Sequence, residues 1–161
     1  MSDILIAGGG PGGLLAALAL GQTGAEVTLV DPAPAPRADS RSTAFLAPSV
    51  EFLLNLGLWG ELAKTALPLE ALTLIDAAGS PPEERLRRTF RATDHGLEAF
   101  AQNVPNDDLN RVLMAGLGAM ANVRLMRGVG VTGLFTRTSG AEVKLTDGTR
   151  LPADAAVGFR S

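Results

Sequence analysis

A glycine-rich run near the N-terminus has the residue types and spacing needed to hold a diphosphate. The run Gly-Gly-Gly-Pro-Gly-Gly contains Gly8, Gly10 and Gly13 in the pattern G-x-G-x-x-G, with Pro11 and Gly12 between the last two. Gly8 permits a tight turn, Gly10 lets a pyrophosphate approach the backbone, and Gly13 lets a helix pack close to a strand. The predicted chemistry is recognition of a diphosphate by main-chain N–H groups.

An acidic residue follows the glycines at the distance typical of a ribose ligand. Asp31 comes 18 residues after Gly13 and directly follows an apolar run, within the window of about 20 residues that dinucleotide sites use. Its carboxylate can accept hydrogen bonds from ribose hydroxyls and repels a 2′-phosphate, so we expect a cofactor other than NADP. The alternative is a βαβ unit that binds nothing.

Three elements must position these residues. The continuous apolar run 4–7 predicts a buried parallel strand, residues 14–22 predict a helix, and residues 27–30 predict a second strand. The first amides of such a helix have no intrahelical acceptor, and its dipole favours an anion at that end. The sequence therefore predicts a βαβ unit with its ligand at the start of the helix.

The rest of the chain predicts an α/β fold in which a short strand pair and a β-meander are added to the βαβ core. After a proline-rich connector at 32–36 and a polar surface loop at 37–43, helices are predicted over 48–57, 58–65 and 107–121. Strands are predicted over 69–77, 85–92, 123–126, 129–136, 141–146 and 150–157, with a hairpin signal at Asp147-Gly148.

Composition excludes several classes of function. The chain has 161 residues, 46% of them hydrophobic, which is enough for one domain with a core. A net charge of −3 argues against nucleic acid as a partner, and one histidine without any cysteine argues against metal sites and disulfides. No apolar run approaches the length of a membrane span. We expect a cytoplasmic protein, with peripheral association with a membrane as the alternative.

Two further stretches make the chain similar to a known family. Residues 39–44 read Asp-Ser-Arg-Ser-Thr-Ala, with Leu-Gly-Leu-Trp at 56–59, and residues 103–109 read Asn-Val-Pro-Asn-Asp-Asp-Leu. With the glycine run, they resemble the N-terminal part of the flavin-dependent aromatic hydroxylases (group A monooxygenases), and within these the ubiquinone-biosynthesis hydroxylases of the UbiH/UbiF kind. The resemblance implies a Rossmann-like FAD/NAD(P)-binding fold. It also implies FAD as cofactor, NADH or NADPH as reductant, and a small aromatic substrate such as a polyprenyl phenol.

The resemblance adds two residues to the cofactor site. It implies that Arg41 reaches the FAD pyrophosphate, for which a solvated loop arginine is the alternative, and that Asn106 lies near the adenine dinucleotide, for which a helix N-cap is the alternative. The predicted cofactor-binding residues are Gly8, Gly10, Pro11, Gly12, Gly13, Asp31, Arg41 and Asn106.

No catalytic residue is assigned from the sequence. His95 lies between the strand pair and the following helix without a nucleophile context, and a loop histidine is the favoured interpretation. Arg111 and the cluster Arg85, Arg87, Arg88 and Arg91 are interpreted as solvated side chains rather than ligand contacts.

The chain also departs from the family. Family members carry A-D-G-x-x-S after the strand that ends in Val-Gly, whereas residues 157–161 read Val-Gly-Phe-Arg-Ser. We therefore expect residues 1–161 to form a single, partial FAD-binding domain, truncated or internally deleted, with weak or no turnover. The strand pair within 69–100 would begin the substrate side. Two alternatives stand beside this hypothesis: a non-catalytic NAD- or ADP-binding module, and an inert remnant that forms homo-oligomers through an open sheet edge.

Overall fold

The computed structural model describes residues 3–36, 38–137 and 140–159. Arg37 of the predicted surface loop and residues 160–161 lie outside this part of the chain. The helices are α1 (Pro11–Gln22), α2 (Ala47–Asn55), α3 (Trp59–Leu62) and α4 (Asn106–Gly118). The strands are β1 (Asp3–Ala7), β2 (Glu26–Asp31), β3 (Ser42–Phe45), β4 (Leu67–Leu69), β5 (Ala71–Ala78), β6 (Glu83–Arg91), β7 (Ala101–Pro105), β8 (Val123–Arg127), β9 (Val131–Arg137), β10 (Gly140–Leu145), β11 (Arg150–Ala153) and β12 (Ala155–Gly158).

The chain divides into two compact units. The first contains Met1–Ser40 and Asp107–Ser161, and the second contains Arg41–Asn106. Each unit has its own sheets, which are described separately below.

A four-stranded parallel sheet in the order β12-β1-β2-β8 forms the centre of the first unit. Leu5 and Val30 pack on one face against Val143 and Leu145 of the neighbouring antiparallel sheet. Ile6 lies on the other face, beneath the start of α1. Burial on both faces explains why β1 is continuously apolar. The predicted α/β fold with a βαβ core is confirmed.

Helix α1 begins three residues earlier than the sequence predicts. The prediction started the helix at Leu14, but Pro11, Gly12 and Gly13 already belong to it, with Gly10 as the N-cap. Proline fits the first turn because an N–H at this position has no intrahelical acceptor, so its absence costs no hydrogen bond. The glycine run is therefore divided between a loop and the first helical turn.

The predicted β-meander is confirmed as the antiparallel sheet β9-β10-β11. Its β10–β11 hairpin turns at Asp147-Gly148, where Gly148 has a φ of +87°. The single strand predicted over 150–157 is wrong, because the chain bends at Asp154 and divides it into β11 and β12. The Asp154 N–H donates to the Asp3 carbonyl at 2.7 Å, and the Asp154 carboxylate accepts the Asp3 N–H at 3.0 Å. These bonds hold the chain as it passes from the antiparallel sheet to the parallel one.

The second unit contains an antiparallel sheet β3-β7-β4 and a two-stranded ribbon β5-β6. The ribbon confirms the predicted strand pair. The loop prediction for 37–43 is wrong at Ser42 and Thr43, which begin β3, and β4 and β7 are not predicted from the sequence. Strands of three to five residues carry too little alternation to be recognised. Buried side chains of this unit include Phe45, Leu53, Leu62 and Val104.

The described part of the chain has neither a candidate membrane span nor a candidate metal cluster. None of its helices is long and apolar enough to cross a membrane. None of its groups of acidic and histidine side chains could hold a metal ion.

Candidate dinucleotide-binding site

The loop between β1 and α1 lies at the carboxyl ends of the parallel strands. The Gly8 N–H donates to the Val30 carbonyl at 2.8 Å, which ties the loop to β2. Gly8 has a φ of +113°, a conformation that side chains disfavour. A Cβ at Gly8 would also collide with the main-chain oxygen of Phe159. Both observations require glycine for the turn out of β1.

Gly13 is required by the packing of α1 on β1. A Cβ added at Gly13 would overlap the carbonyl oxygen of Gly8 and would lie 3.6 Å from Cγ2 of Ile6. The side chain is therefore excluded by backbone, which cannot move aside as a flexible side chain can. This is the steric reason that the G-x-G-x-x-G spacing predicts for Gly13.

Gly10 differs from its neighbours because nothing in the described protein requires glycine there. Its φ of −74° and ψ of 177° are ordinary for any residue. A Cβ added at Gly10 meets no heavy atom within 4 Å. The space beside Gly10 is thus open, at the N-cap of a helix whose first turn contains no acidic residue and no side-chain cap. The amides and dipole of that turn favour an anion.

Gly12 and Gly9 contact other parts of the site. A Cβ at Gly12 would lie 3.2 Å from the ring of Phe159. A Cβ at Gly9 would collide with Oδ2 of Asp31 and come within 2.9 Å of the Asp31 Cβ. Gly9 was not among the predicted site residues, because the middle glycine of the run lies outside the G-x-G-x-x-G pattern. Its role is to let the Asp31 side chain approach the loop.

Asp31 lies at the carboxyl end of β2 and is largely buried, with 14% of its side chain exposed. Its Oδ1 accepts the N–H of Ala33 at 2.9 Å. Its Oδ2 lies 3.8 Å from Nη1 of Arg127, whose side chain is 18% exposed. Asp31 and Arg127 are register partners on the parallel strands β2 and β8. The carboxylate is therefore held next to the glycine loop by one main-chain hydrogen bond and lies close to one guanidinium.

Arg41 and Asn106 are neighbours within the second unit. The Asn106 N–H donates to the Arg41 carbonyl at 2.9 Å, and the Thr43 hydroxyl lies 2.7 Å from Oδ1 of Asn106. Asn106 is 6% exposed, whereas Arg41 is exposed. The structure thus brings together six predicted residues in the first unit, namely Gly8, Gly10, Pro11, Gly12, Gly13 and Asp31, and the other two in the second unit.

The remaining candidates are surface side chains. The ring of His95 lies 6.1 Å from that of Phe100, and His95 itself is exposed. Arg111 forms an ion pair with Asp108 one turn earlier in α4, at 2.8 Å. On the exposed ribbon, Arg87 pairs with Glu84 at 2.7 Å, which lowers the pKa of the Glu84 carboxyl through the hydrogen bond that it accepts. His95 was predicted to lie in a loop, but it ends a short 3-10 helix, Ala92–His95. The two ion pairs agree with the interpretation of Arg87 and Arg111 as solvated side chains.

Comparisons with known proteins show that the chain is similar to FAD-binding proteins. The model of a family described as "FAD binding domain" matches residues 1–156. Ubiquinone hydroxylase UbiM of Neisseria meningitidis serogroup C / serotype 2a is 26% identical over 158 residues, which cover 94% of this chain and 34% of that protein. This chain therefore spans about a third of the length of that relative.

Two solved structures have a similar fold. p-Nitrophenol 4-monooxygenase PnpA from Pseudomonas putida DLL-E4 superposes with a TM-score of 0.78 at 18% identity, covering 100% of this chain and 42% of that chain. The flavin-dependent monooxygenase PieE, solved in complex with FAD and substrate, gives 0.77 at 23% identity, covering 96% of this chain and 29% of that chain. At these sequence identities, the structural similarity shows that the three chains share a fold.

Proposed function

This chain belongs to the FAD-binding domain family, and from that premise we propose that it is the FAD-binding portion of a flavin-dependent monooxygenase that hydroxylates an aromatic ring. Hydroxylation itself is proposed for a protein with the length of the relatives, because the residues present here account for only the nucleotide half of such a site.

The open space beside Gly10 is the observation that carries this proposal. Glycine is a better N-cap than alanine, but its conformational freedom and its lack of a Cβ are not needed by the fold at Gly10. Gly8 and Gly13 are explained by the fold, whereas Gly10 has neither a positive φ nor a neighbouring atom that would exclude a Cβ. A diphosphate lying against the main chain at this point gives Gly10 a reason.

Each predicted residue has a proposed role in holding FAD. The N–H groups at the start of α1, with Gly8, Gly10, Pro11, Gly12 and Gly13 shaping the loop, bind the pyrophosphate. Asp31 binds the adenosine ribose through its Oδ2, because its Oδ1 already accepts the Ala33 N–H. Following the family resemblance, Arg41 binds the pyrophosphate through its guanidinium and Asn106 lies near the adenine dinucleotide.

Bound FAD supplies the oxidation–reduction chemistry, with NADH or NADPH as the reductant, while this chain positions the cofactor. The narrower proposal for the substrate is a polyprenyl phenol of ubiquinone biosynthesis. It is supported by the 26% identity to a ubiquinone hydroxylase. The ribbon β5-β6 is proposed to begin the substrate side.

A non-catalytic NAD- or ADP-binding module is the second candidate. It is supported by the position of Asp31 beside the glycine loop, because both would bind the ADP moiety that FAD, NAD and ADP share. The two candidates differ in whether a flavin is preferred.

Titration of the purified chain with FAD and with NAD separates the two candidates. We expect FAD to bind, with quenching of flavin fluorescence and retention of yellow colour after gel filtration, and NAD to bind more weakly. The reason is that the family match is to FAD-binding domains. Tight NAD binding without FAD binding would contradict the proposal and support the second candidate.

A further inference from the structure

We propose that Arg127 acts together with Asp31 as a clamp on one ribose hydroxyl of the adenosine half, so that the site selects ribose over deoxyribose. This inference rests on the proposed function, because it concerns the same nucleotide site. It assigns a recognition role to a residue that the glycine pattern and the family resemblance do not include.

The distance between the two groups supports a bridged rather than a direct contact. Nη1 of Arg127 and Oδ2 of Asp31 are 3.8 Å apart, which is too far for a hydrogen bond. An oxygen bonded to both at ordinary distances of about 2.7–2.9 Å spans such a gap. A hydroxyl suits the position because it can donate to the carboxylate and accept from the guanidinium at the same time.

Both groups keep bonding capacity for such a ligand. Oδ1 of Asp31 accepts the Ala33 N–H, while Oδ2 faces Gly9 and Arg127. Within residues 3–36, 38–137 and 140–159, Arg127 makes one further polar contact, from Nη2 to Sδ of Met114 at 3.3 Å. A thioether is a weak acceptor, and a guanidinium has five N–H donors, so donors remain available.

The position of Arg127 in the sheet agrees with this role. Residue pairing places it beside Asp31 at the carboxyl ends of β2 and β8, the edge where parallel sheets bind their ligands. Its side chain is mostly buried, so its charge is less screened than that of a surface arginine. Arg124 lies on the same strand with an exposed side chain and provides a matched control.

The experiment compares nucleotides that differ by one hydroxyl. The dissociation constants of ADP, 2′-deoxy-ADP and 3′-deoxy-ADP are measured by calorimetry for the wild type and for Arg127→Met, Arg127→Lys and Arg124→Met. In the wild type we expect loss of the clamped hydroxyl to weaken binding about tenfold, the size of one charge-assisted hydrogen bond. In Arg127→Met we expect that penalty to fall to about threefold or less, with partial recovery in Arg127→Lys. Arg124→Met should keep the wild-type penalty.

A purely structural role of Arg127 would weaken ADP and its deoxy analogues by the same factor, and this result would overturn the clamp. Tighter binding of ADP that carries a 2′-phosphate, or FAD binding without measurable ADP binding, would also overturn it. A parallel FAD titration of the wild type distinguishes the two failures. Absence of FAD binding rejects the proposed function, whereas FAD binding with an unchanged hydroxyl penalty in Arg127→Met rejects the clamp alone.

Discussion

Gly9, Gly10 and Gly13 lie in three different surroundings. Gly13 is excluded from carrying a side chain by the Gly8 carbonyl, and Gly9 by the Asp31 carboxylate, whereas Gly10 faces open space. The first two constraints come from the fold of this chain, and the third points to something outside it. Substitutions at Gly13 and Gly10 should therefore have different consequences for stability and for binding.

Gly10→Ala is expected to separate binding from stability. Its Cβ meets no protein atom and its backbone conformation suits alanine. The free energy of unfolding should therefore change by no more than about 1 kcal/mol, because the restricted unfolded chain and the poorer N-cap of alanine act in opposite directions. FAD affinity should fall at least about tenfold, because the Cβ holds the diphosphate away from the main chain. Urea unfolding and FAD titration measure the two effects.

Gly60→Ala is the matched control for Gly10→Ala, because a Cβ there also meets no atom within 4 Å. It should leave FAD affinity unchanged. Unaltered FAD binding in Gly10→Ala would remove the observation on which the proposed function depends.

Gly13→Ala is expected to act in the opposite way, through the fold. Its Cβ would overlap the Gly8 carbonyl oxygen, so α1 must shift away from β1. Overpacking of this kind costs about 1–3 kcal/mol of unfolding free energy. The measurement is the urea midpoint without ligand, and a midpoint equal to that of the wild type would contradict the close packing of helix and strand.

A hydrogen bond to a carboxylate in the turn of the β10–β11 hairpin makes the stability of the chain depend on pH. Oδ1 of Asp147 accepts the Thr149 N–H at 2.9 Å, and this bond to the main chain lowers the pKa of the Asp147 carboxyl below its ordinary value of 3.8. A carboxyl whose pKa is lowered by folding stabilises the folded state above its unfolded pKa. That contribution is lost as the pH falls through the folded pKa.

Asp147→Ala should therefore destabilise the chain at pH 7, and the difference from the wild type should shrink once the pH is taken below 3.8. Urea unfolding at a series of pH values measures the difference. Asp147→Asn retains an acceptor but does not titrate, so it should show a smaller loss that does not vary with pH. A loss in Asp147→Ala that is the same at every pH would contradict a role for the ionised carboxylate.

Elements with a strong local pattern could be predicted from the sequence, and elements defined by their partners could not. The run Ile4–Ala7, the α4 face with Leu109, Val112 and Leu113, and the Asp147-Gly148 turn each carry a local signal, and the structure contains all three. Strands β4 and β7 exist because they pair with each other through Leu67 and Asn103. The division of β11 from β12 depends on hydrogen bonds between Asp154 and Asp3, which are distant in the sequence.

The candidate site was predictable to a similar extent. The glycine spacing and the distance to Asp31 indicate the loop and the acid, because both belong to one continuous βαβ unit. Arg127 was not predictable as a neighbour of Asp31, since only the parallel pairing of β2 with β8 brings them together. The need for glycine at position 9 comes from the position of the Asp31 side chain, which no local pattern indicates.

The ribbon β5-β6 differs from the packed sheets of the first unit in its exposure. Among the described residues, both strands are exposed along almost their full length, including the large apolar side chains Leu72, Leu74, Ile75, Leu86 and Phe90. The chain spans about a third of a related hydroxylase. An exposed ribbon with large apolar side chains agrees with the proposal that this chain supplies cofactor binding, while ring hydroxylation needs the length of the relatives.

The pairing of β1 with β12 has a consequence for biosynthesis. Ile4, at the start of the strand that leads into the glycine loop, is paired with Ala155, and the Phe159 N–H bonds to the Ala7 carbonyl. While the ribosome is still translating the middle of the chain, β1 has one of its two neighbours and presents an open edge to other nascent or unfolded chains. The strand that leads into the glycine loop therefore gains its second neighbour only after residues 155–159 have left the ribosome.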